Sequence, residues 1–212
     1  MTLAPLPTPS LWPPVPQSLA PFIREADERI ARFLDDIRST STIAFVPSDF
    51  SVAAAALAHI RESHLAPGPR FLEWGAGYAV VAGLAGSLGY ESHAIEIDPV
   101  LVSAARNLAR DFNLRHAIAE GSFIPPGADH LADTSADHAW LALGGPDGYD
   151  ALGLEPDDFD VIYCYPWPGE ERVILRLFDH CAPAGALLIT YHGLEGVRIN
   201  RKRPSRSRTR RR

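Results

Sequence analysis

The stretch Phe71-Leu72-Glu73-Trp74-Gly75-Ala76-Gly77-Tyr78 constrains this chain more than any other: an apolar strand that ends in an acid and turns through two glycines into a helix. Glycines at such a turn let the backbone swing sharply and approach a ligand more closely than any side chain permits. Nineteen residues past Gly77, at the end of the next strand-like run, stands Glu96. A carboxylate there can accept hydrogen bonds from both hydroxyls of an adenosine ribose, so glycine turn and acid together point to a nucleoside-containing cofactor.

The surrounding pattern supplies the fold class. Phe22, Ile23, Ala26, Ile30, Phe33, Leu34 and Ile37 recur at helical spacing over about 20 to 38. An alanine-rich helix follows over about 51 to 63, with Ser48 or Ser51 as candidate N-cap, and ends before the turn Pro67-Gly68-Pro69. Strands are then expected at Arg70 to Trp74, His93 to Ile97, about 116 to 120, Asp160 to Tyr165 and Ala186 to Tyr191. Helices are expected between them at Ala79 to Leu88, Pro99 to Phe112 and about 170 to 181. This alternation predicts an α/β, doubly wound, Rossmann-like fold: a mostly parallel sheet with helices on both faces.

Gly75-x-Gly77-x-x-Val80 also resembles a dinucleotide fingerprint without its third glycine. Glu73 separates the two readings. A negative charge two positions before the first glycine opposes a pyrophosphate and suits S-adenosylmethionine, which carries an ammonium and a sulfonium and no phosphate.

Over roughly residues 45 to 192 the chain resembles the class I S-adenosylmethionine-dependent methyltransferases. FLEWGAGYAVVAGLA looks like the first motif of that family, HAIEIDPVLVSAARNLA the second, AEGSF the third, and APAGALLITYH the approach to a late strand. FVPSDFSVAAAALAHI is similar to the segment leading into the glycine motif in the small lysine-methyltransferase-like branch. The resemblance implies Glu73, Gly75 and Gly77 around the methionine end of the cofactor, Glu96 on the ribose, and Ser122 with Phe123 beside the adenine. It implies a methyl acceptor that is a small molecule or a protein, with an amine such as lysine favoured. The chain departs from the family at Tyr78 or Ala79, where a third glycine is usual, and at Ser122, where an acid is usual. It also turns basic soon after its last expected strand, so the usual closing antiparallel strands are expected to be short or missing.

In a doubly wound sheet the ligand lies beyond the carboxyl ends of the strands, which puts Tyr163-Cys164-Tyr165-Pro166-Trp167-Pro168-Gly169 at the reacting end. Tyr165 and Trp167 are the candidate catalytic residues, since their ring faces can stabilise a cation, although both also suit a plain rim. Ser122 and Phe123 equally suit an ordinary loop. Cys164 lies in an apolar strand and is expected to be a buried structural thiol, and the scattered histidines suggest no metal ligand set.

Charge divides the chain. Its net charge is -6, yet nine of its twenty basic residues fall in 198–212, a segment without an acid. Between Arg115 and Arg172 there are twelve acids and no base, Asp133 and Asp137 among them. That run reads as a solvated loop or as a lip that attracts a basic substrate. The arginine-rich tail 198–212 is expected to be disordered, with RNA or another polyanion as a candidate contact. Residues 1–17, with six prolines, are expected to form an arm outside the fold, leaving 18–197 as the domain. No apolar run long enough to span a membrane and no secretory signal is evident, and two isolated cysteines suit a cytoplasmic protein. Two rivals stand beside the methyltransferase: a non-catalytic binding module of the same fold, and a nicotinamide-dependent oxidoreductase.

Overall fold

The computed structural model describes residues 2–37, 45–132 and 144–204. Five strands are parallel: β2 (Arg70–Trp74), β3 (Glu91–Glu96), β4 (Ala117–Glu120), β5 (Val161–Cys164) and β6 (Leu187–Tyr191). β7 (Val197–Lys202) runs antiparallel to β6, and β1 (Leu3–Leu6) antiparallel to β7. The order across the sheet is β1-β7-β6-β5-β2-β3-β4. The chain winds outward from β2 through β3 to β4 and then returns to β5 on the other side of β2. The crevice where ligands bind in such sheets therefore opens at the carboxyl ends of β2, β3 and β5.

Period-two alternation builds two cores. Phe71, Ala94, Val161, Tyr163, Leu187 and Ile189 face one core with α1 (Ala20–Ile37), α2 (Phe50–Glu62), α3 (Val80–Ser87) and α4 (Pro99–Asp111). Leu72, Trp74, Ile95, Ile162, Cys164 and Leu188 face the other with α7 (Glu171–Cys181) and Tyr149 of α6 (Gly148–Leu152). Strands apolar on both faces belong inside a covered parallel sheet, which is the predicted class. Three helices, α2, α4 and α6, begin on aspartate caps. Asp49, and not Ser48 or Ser51, caps α2 by accepting from Ser51 N and Val52 N, both at 3.0 Å. Ser48 Oγ instead accepts from the buried Tyr163 hydroxyl at 2.8 Å. Asp98 caps α4 ahead of Pro99.

The chain's ends differ from expectation. The stretch 1–17, expected as an arm outside the fold, joins it over the described residues 2–17: Leu3–Leu6 forms an edge strand, with Pro5 at the edge where a missing N–H is tolerated. Trp12 and Val15 of the same proline-rich stretch pack on the first core. The basic segment does not start at 198 either, because Arg198 to Lys202 belong to β7, where Val197 and Ile199 alternate into the core. Local neighbours absorb the charges: Arg198 pairs with Glu195, Arg201 donates to Leu65 O, and Lys202 donates to Ala182 O. The closing strands are thus present, one from each end of the sequence. Arg203 N donates to Thr2 O at 2.9 Å, and the arginines of 205–212 lie outside the described residues, as do Asp133 and Asp137.

Candidate functional site

The β2–α3 turn is left-handed three times over, at Gly75 (φ +62°), Gly77 (φ +54°) and Ala79 (φ +51°). Only the first two carry glycine, so the strained position falls where the family-like pattern lacks its third glycine. The turn is bound to the next strand through Ala76 N, which donates to Ile95 O at 3.0 Å. Gly77 N donates to Glu96 Oε2 at 2.6 Å, and Glu96 Oε1 accepts from Ile97 N and Asp98 N at 2.8 and 2.9 Å. Glu96 is buried, and burial raises its pKa against the pull of those three N–H groups. Two of the candidate cofactor residues, Gly77 and Glu96, therefore meet directly.

Phe123 joins them. Its half-buried ring lies 3.7 Å from where a Cβ on Gly75 would stand, and it stacks on Trp74 with centroids 5.3 Å apart and planes 14° off parallel. A buried relay fixes that platform: Trp74 Nε1 donates to the Tyr149 hydroxyl at 2.9 Å, which donates to Phe123 O at 3.0 Å. Ser122 serves the loop itself. Its Oγ accepts from Ile124 N at 3.1 Å, and its backbone bridges to the segment at Asp147. Ile97, exposed immediately after Glu96, adds an apolar surface on the same strand end.

Glu73 does not face the mouth of the turn. On β2 it shares the Phe71 side and points under α3, where its Oε2 accepts from Ala82 N at 2.7 Å, the third residue of that helix. Burial raises its pKa to about 8, with α3 backbone N–H groups opposing and the Glu96 charge adding to the rise. At neutral pH the carboxyl is thus mostly protonated, and the charge repulsion expected of it is weak. Its position acts in place of its charge. A pyrophosphate would need the donors at the start of α3, and Glu73 already occupies them.

At the carboxyl ends of β5 and β6 lies a cavity of about 380 Å³ lined by Phe45, Val46, Tyr165, Pro166, Trp167, Pro168, Glu171, His192 and Glu195. It brings Tyr165 and Trp167 together, as expected from their place after β5. Phe45 links this cavity to the turn, since its ring sits 2.3 Å from where a Cβ on Gly77 would stand. Phe45 opens the FVPSDF segment and Glu171 begins the last expected helix, but neither they nor His192 and Glu195 carry a spacing that marks them as lining a pocket. Cys164 is buried and its thiol is pushed up by burial.

The acidic run is largely structural where it is described. Asp147 caps α6, Asp158 pairs with Arg70 at 3.3 Å, and Asp160 accepts from Arg70 N at 2.9 Å. Among the described residues no group of three or more His, Cys, Asp and Glu stands ready to hold a metal ion. No described helix is long and apolar enough to cross a membrane.

A nucleoside cofactor needs a carboxylate with spare acceptor capacity, a bare backbone turn and an apolar platform. Glu96 Oε2, with one bond used, the turn at Gly75, and Phe123 with Ile97 fit those needs, while at Gly77 the Phe45 ring fills the space beside the backbone.

No family model matches the chain, and no curated protein matches it in sequence. Solved structures do resemble it. An S-adenosylmethionine-dependent methyltransferase from Clostridium acetobutylicum is 13% identical with a TM-score of 0.45, over 78% of this chain and 56% of that one. An RNA methyltransferase from Salinibacter ruber, in complex with S-adenosyl-L-homocysteine, is 15% identical with a TM-score of 0.49, over 76% of this chain and 95% of that one. An SAH-bound Podospora anserina methyltransferase is 15% identical with a TM-score of 0.49, over 84% and 63%. The chain spans less than two thirds of the first of these and of the third. At such identities the activity has to be read from the residues of the site itself.

Proposed function

We propose that the chain is an S-adenosylmethionine-dependent methyltransferase whose acceptor is an amine nitrogen, a lysine side chain being the protein form of such a group. One observation carries the reading: the Glu96 carboxylate and the left-handed Gly75–Gly77 backbone meet at the strand ends beside the Phe123 platform. Glu96 would hold the ribose hydroxyls, the glycine turn would take the methionine end once the Phe45 ring moves off Gly77, and Phe123 with Ile97 would flank the adenine.

Bound there, the cofactor supplies a methyl carbon made electrophilic by its sulfonium. The protein's contribution is orientation, because in-line displacement needs the acceptor nitrogen aligned with that carbon. In that reaction the acceptor's lone pair would form the N–C bond as the C–S bond breaks with its pair on sulfur, and one N–H proton would leave the product. A lysine ammonium, with an ordinary pKa near 10.4, must first become neutral, and desolvation against Tyr165, Trp167 and Phe45 favours that. Pro166 and Pro168 stiffen the segment that holds the two rings.

The Phe45 ring favours a second reading, a binding module without catalysis, because it covers Gly77 where the methyl donor would approach. A nicotinamide dinucleotide is disfavoured by Glu73, which fills the donors its pyrophosphate would need. The arginine-rich segment keeps its candidate role as a polyanion contact. Incubation of the purified full chain with methyl-labelled S-adenosylmethionine and cell extract distinguishes the first two readings. Labelled amine product is expected, and cofactor binding without label transfer would establish the binding module.

A further inference from the structure

We propose that the cavity beyond β5 and β6 is an acceptor pocket for an alkylammonium group, held between the Tyr165 and Trp167 rings and the Glu171 and Glu195 carboxylates, with His192 as its proton acceptor. The proposal rests on the reading of the Gly75 to Glu96 region as the methyl-donor site. The pocket adjoins that region through one side chain, since the Phe45 ring both packs on Gly77 and lines the cavity. Its volume of about 380 Å³ suits a short chain with a compact head.

The lining selects charge as well as shape. Tyr165 and Trp167 bring aromatic rings to the lining, and aromatic rings attract cations. Tyr165 is braced edge-on against Tyr191, with centroids 4.9 Å apart. Glu171 is set at the start of α7, where its Oε2 accepts from Gly169 N at 3.1 Å. Glu195 is partly offset by its pair with Arg198, so Glu171 carries the larger share of uncompensated negative charge. A carboxylate or phosphate acceptor would meet repulsion here, and a neutral hydroxyl would gain a hydrogen bond to a glutamate but no attraction between opposite charges.

His192 stands in the same wall, its Nε2 at 2.8 Å from Thr190 Oγ1. The titratable groups that bear on it are Arg198 of β7, Glu171 of α7 and Glu195 of the turn before β7. Burial first, and then Arg198, lower its pKa below the ordinary histidine value against the two glutamates. The imidazole is therefore neutral at pH 7 and able to take a proton. An alkylammonium held here would give its N–H proton to the imidazole and from there to solvent, an uphill transfer from an ordinary pKa of about 10.4 that proton release to solvent completes. The freed lone pair would bond the methyl carbon of a bound donor as that carbon's bond to sulfur breaks with its pair on sulfur.

The test begins without the donor. The full chain is titrated with the Nα-acetyl methylamide of trimethyl-lysine and with its neutral isostere, in which carbon replaces the charged nitrogen. The charged probe is expected to bind about tenfold tighter, and Glu171→Gln is expected to reduce that preference several-fold while leaving the isostere unchanged. Equal binding of the two probes, or a preference that survives both Glu171→Gln and Trp167→Leu, would overturn the pocket. A separate titration with S-adenosylhomocysteine tests the methyl-donor reading, so the two failures are told apart. His192→Gln, checked for folding by that same titration, is expected to lower kcat toward lysine methylamide about tenfold or more with KM held, and to abolish the low-pH limb of the rate profile. An unchanged kcat or pH profile would remove His192 from the proposal.

Discussion

Replacing Glu73 with Gln should change how the stability of the fold depends on pH. The Glu73 carboxyl is buried beneath α3 and accepts from Ala82 N at 2.7 Å, with its pKa raised from 4.5 to about 8. An acid whose pKa is raised in the fold is most compatible with folding when protonated. Its contribution is fully present below the unfolded value near 4.5 and is lost as pH rises through the folded value near 8. With about 1.4 kcal/mol per pKa unit, the wild-type chain should lose about 3 kcal/mol through this one group between pH 5 and pH 8. Glutamine keeps an oxygen for Ala82 N and cannot ionise. Any cost of placing its NH2 group shifts the curve equally at all pH values, so the difference in slope isolates Glu73. Urea unfolding of both proteins at several pH values across that range measures the slope. Parallel curves, with no relative gain for Glu73→Gln at high pH, would refute the burial of this carboxyl under α3.

Three further outcomes follow from the packing. Tyr149→Phe removes the partner of Trp74 Nε1 and the donor to Phe123 O, and should cost about 1 to 3 kcal/mol in chemical denaturation with an unchanged m-value. Gly77→Ala puts a Cβ into the Phe45 ring at a left-handed φ; it should destabilise by about 1 to 2 kcal/mol and weaken S-adenosylhomocysteine binding in calorimetry. Removal of residues 2–6 bares the outer edge of β7 and should lower the unfolding midpoint and promote self-association seen by light scattering, whereas an unchanged midpoint would mean that β1 adds nothing.

Much of this was legible in the residues. Strand and helix alternation from Arg70 to Tyr191 reproduces the parallel sheet because its strands are short, apolar and punctuated by turn residues. Gly75, Gly77 and Glu96 meet because a βαβ unit brings consecutive strand ends side by side. Glu73 lies beneath α3, because strand parity places it on the Phe71 face of β2. At the two ends, proline and arginine content masks a strand pattern. Val197 and Ile199 alternate with polar residues as an edge strand should, and Pro5 is permitted at an edge. Phe45, His192 and Glu195 reach the cavity only through long-range packing, which no local spacing encodes.

The most direct test of the central claim is calorimetric titration of the full chain with S-adenosylmethionine, beside a Glu96→Ala variant shown to be folded. The wild-type chain is expected to bind saturably at one site and the variant to lose most of that affinity. No binding by well-folded wild-type protein, or undiminished binding by Glu96→Ala, would contradict the account.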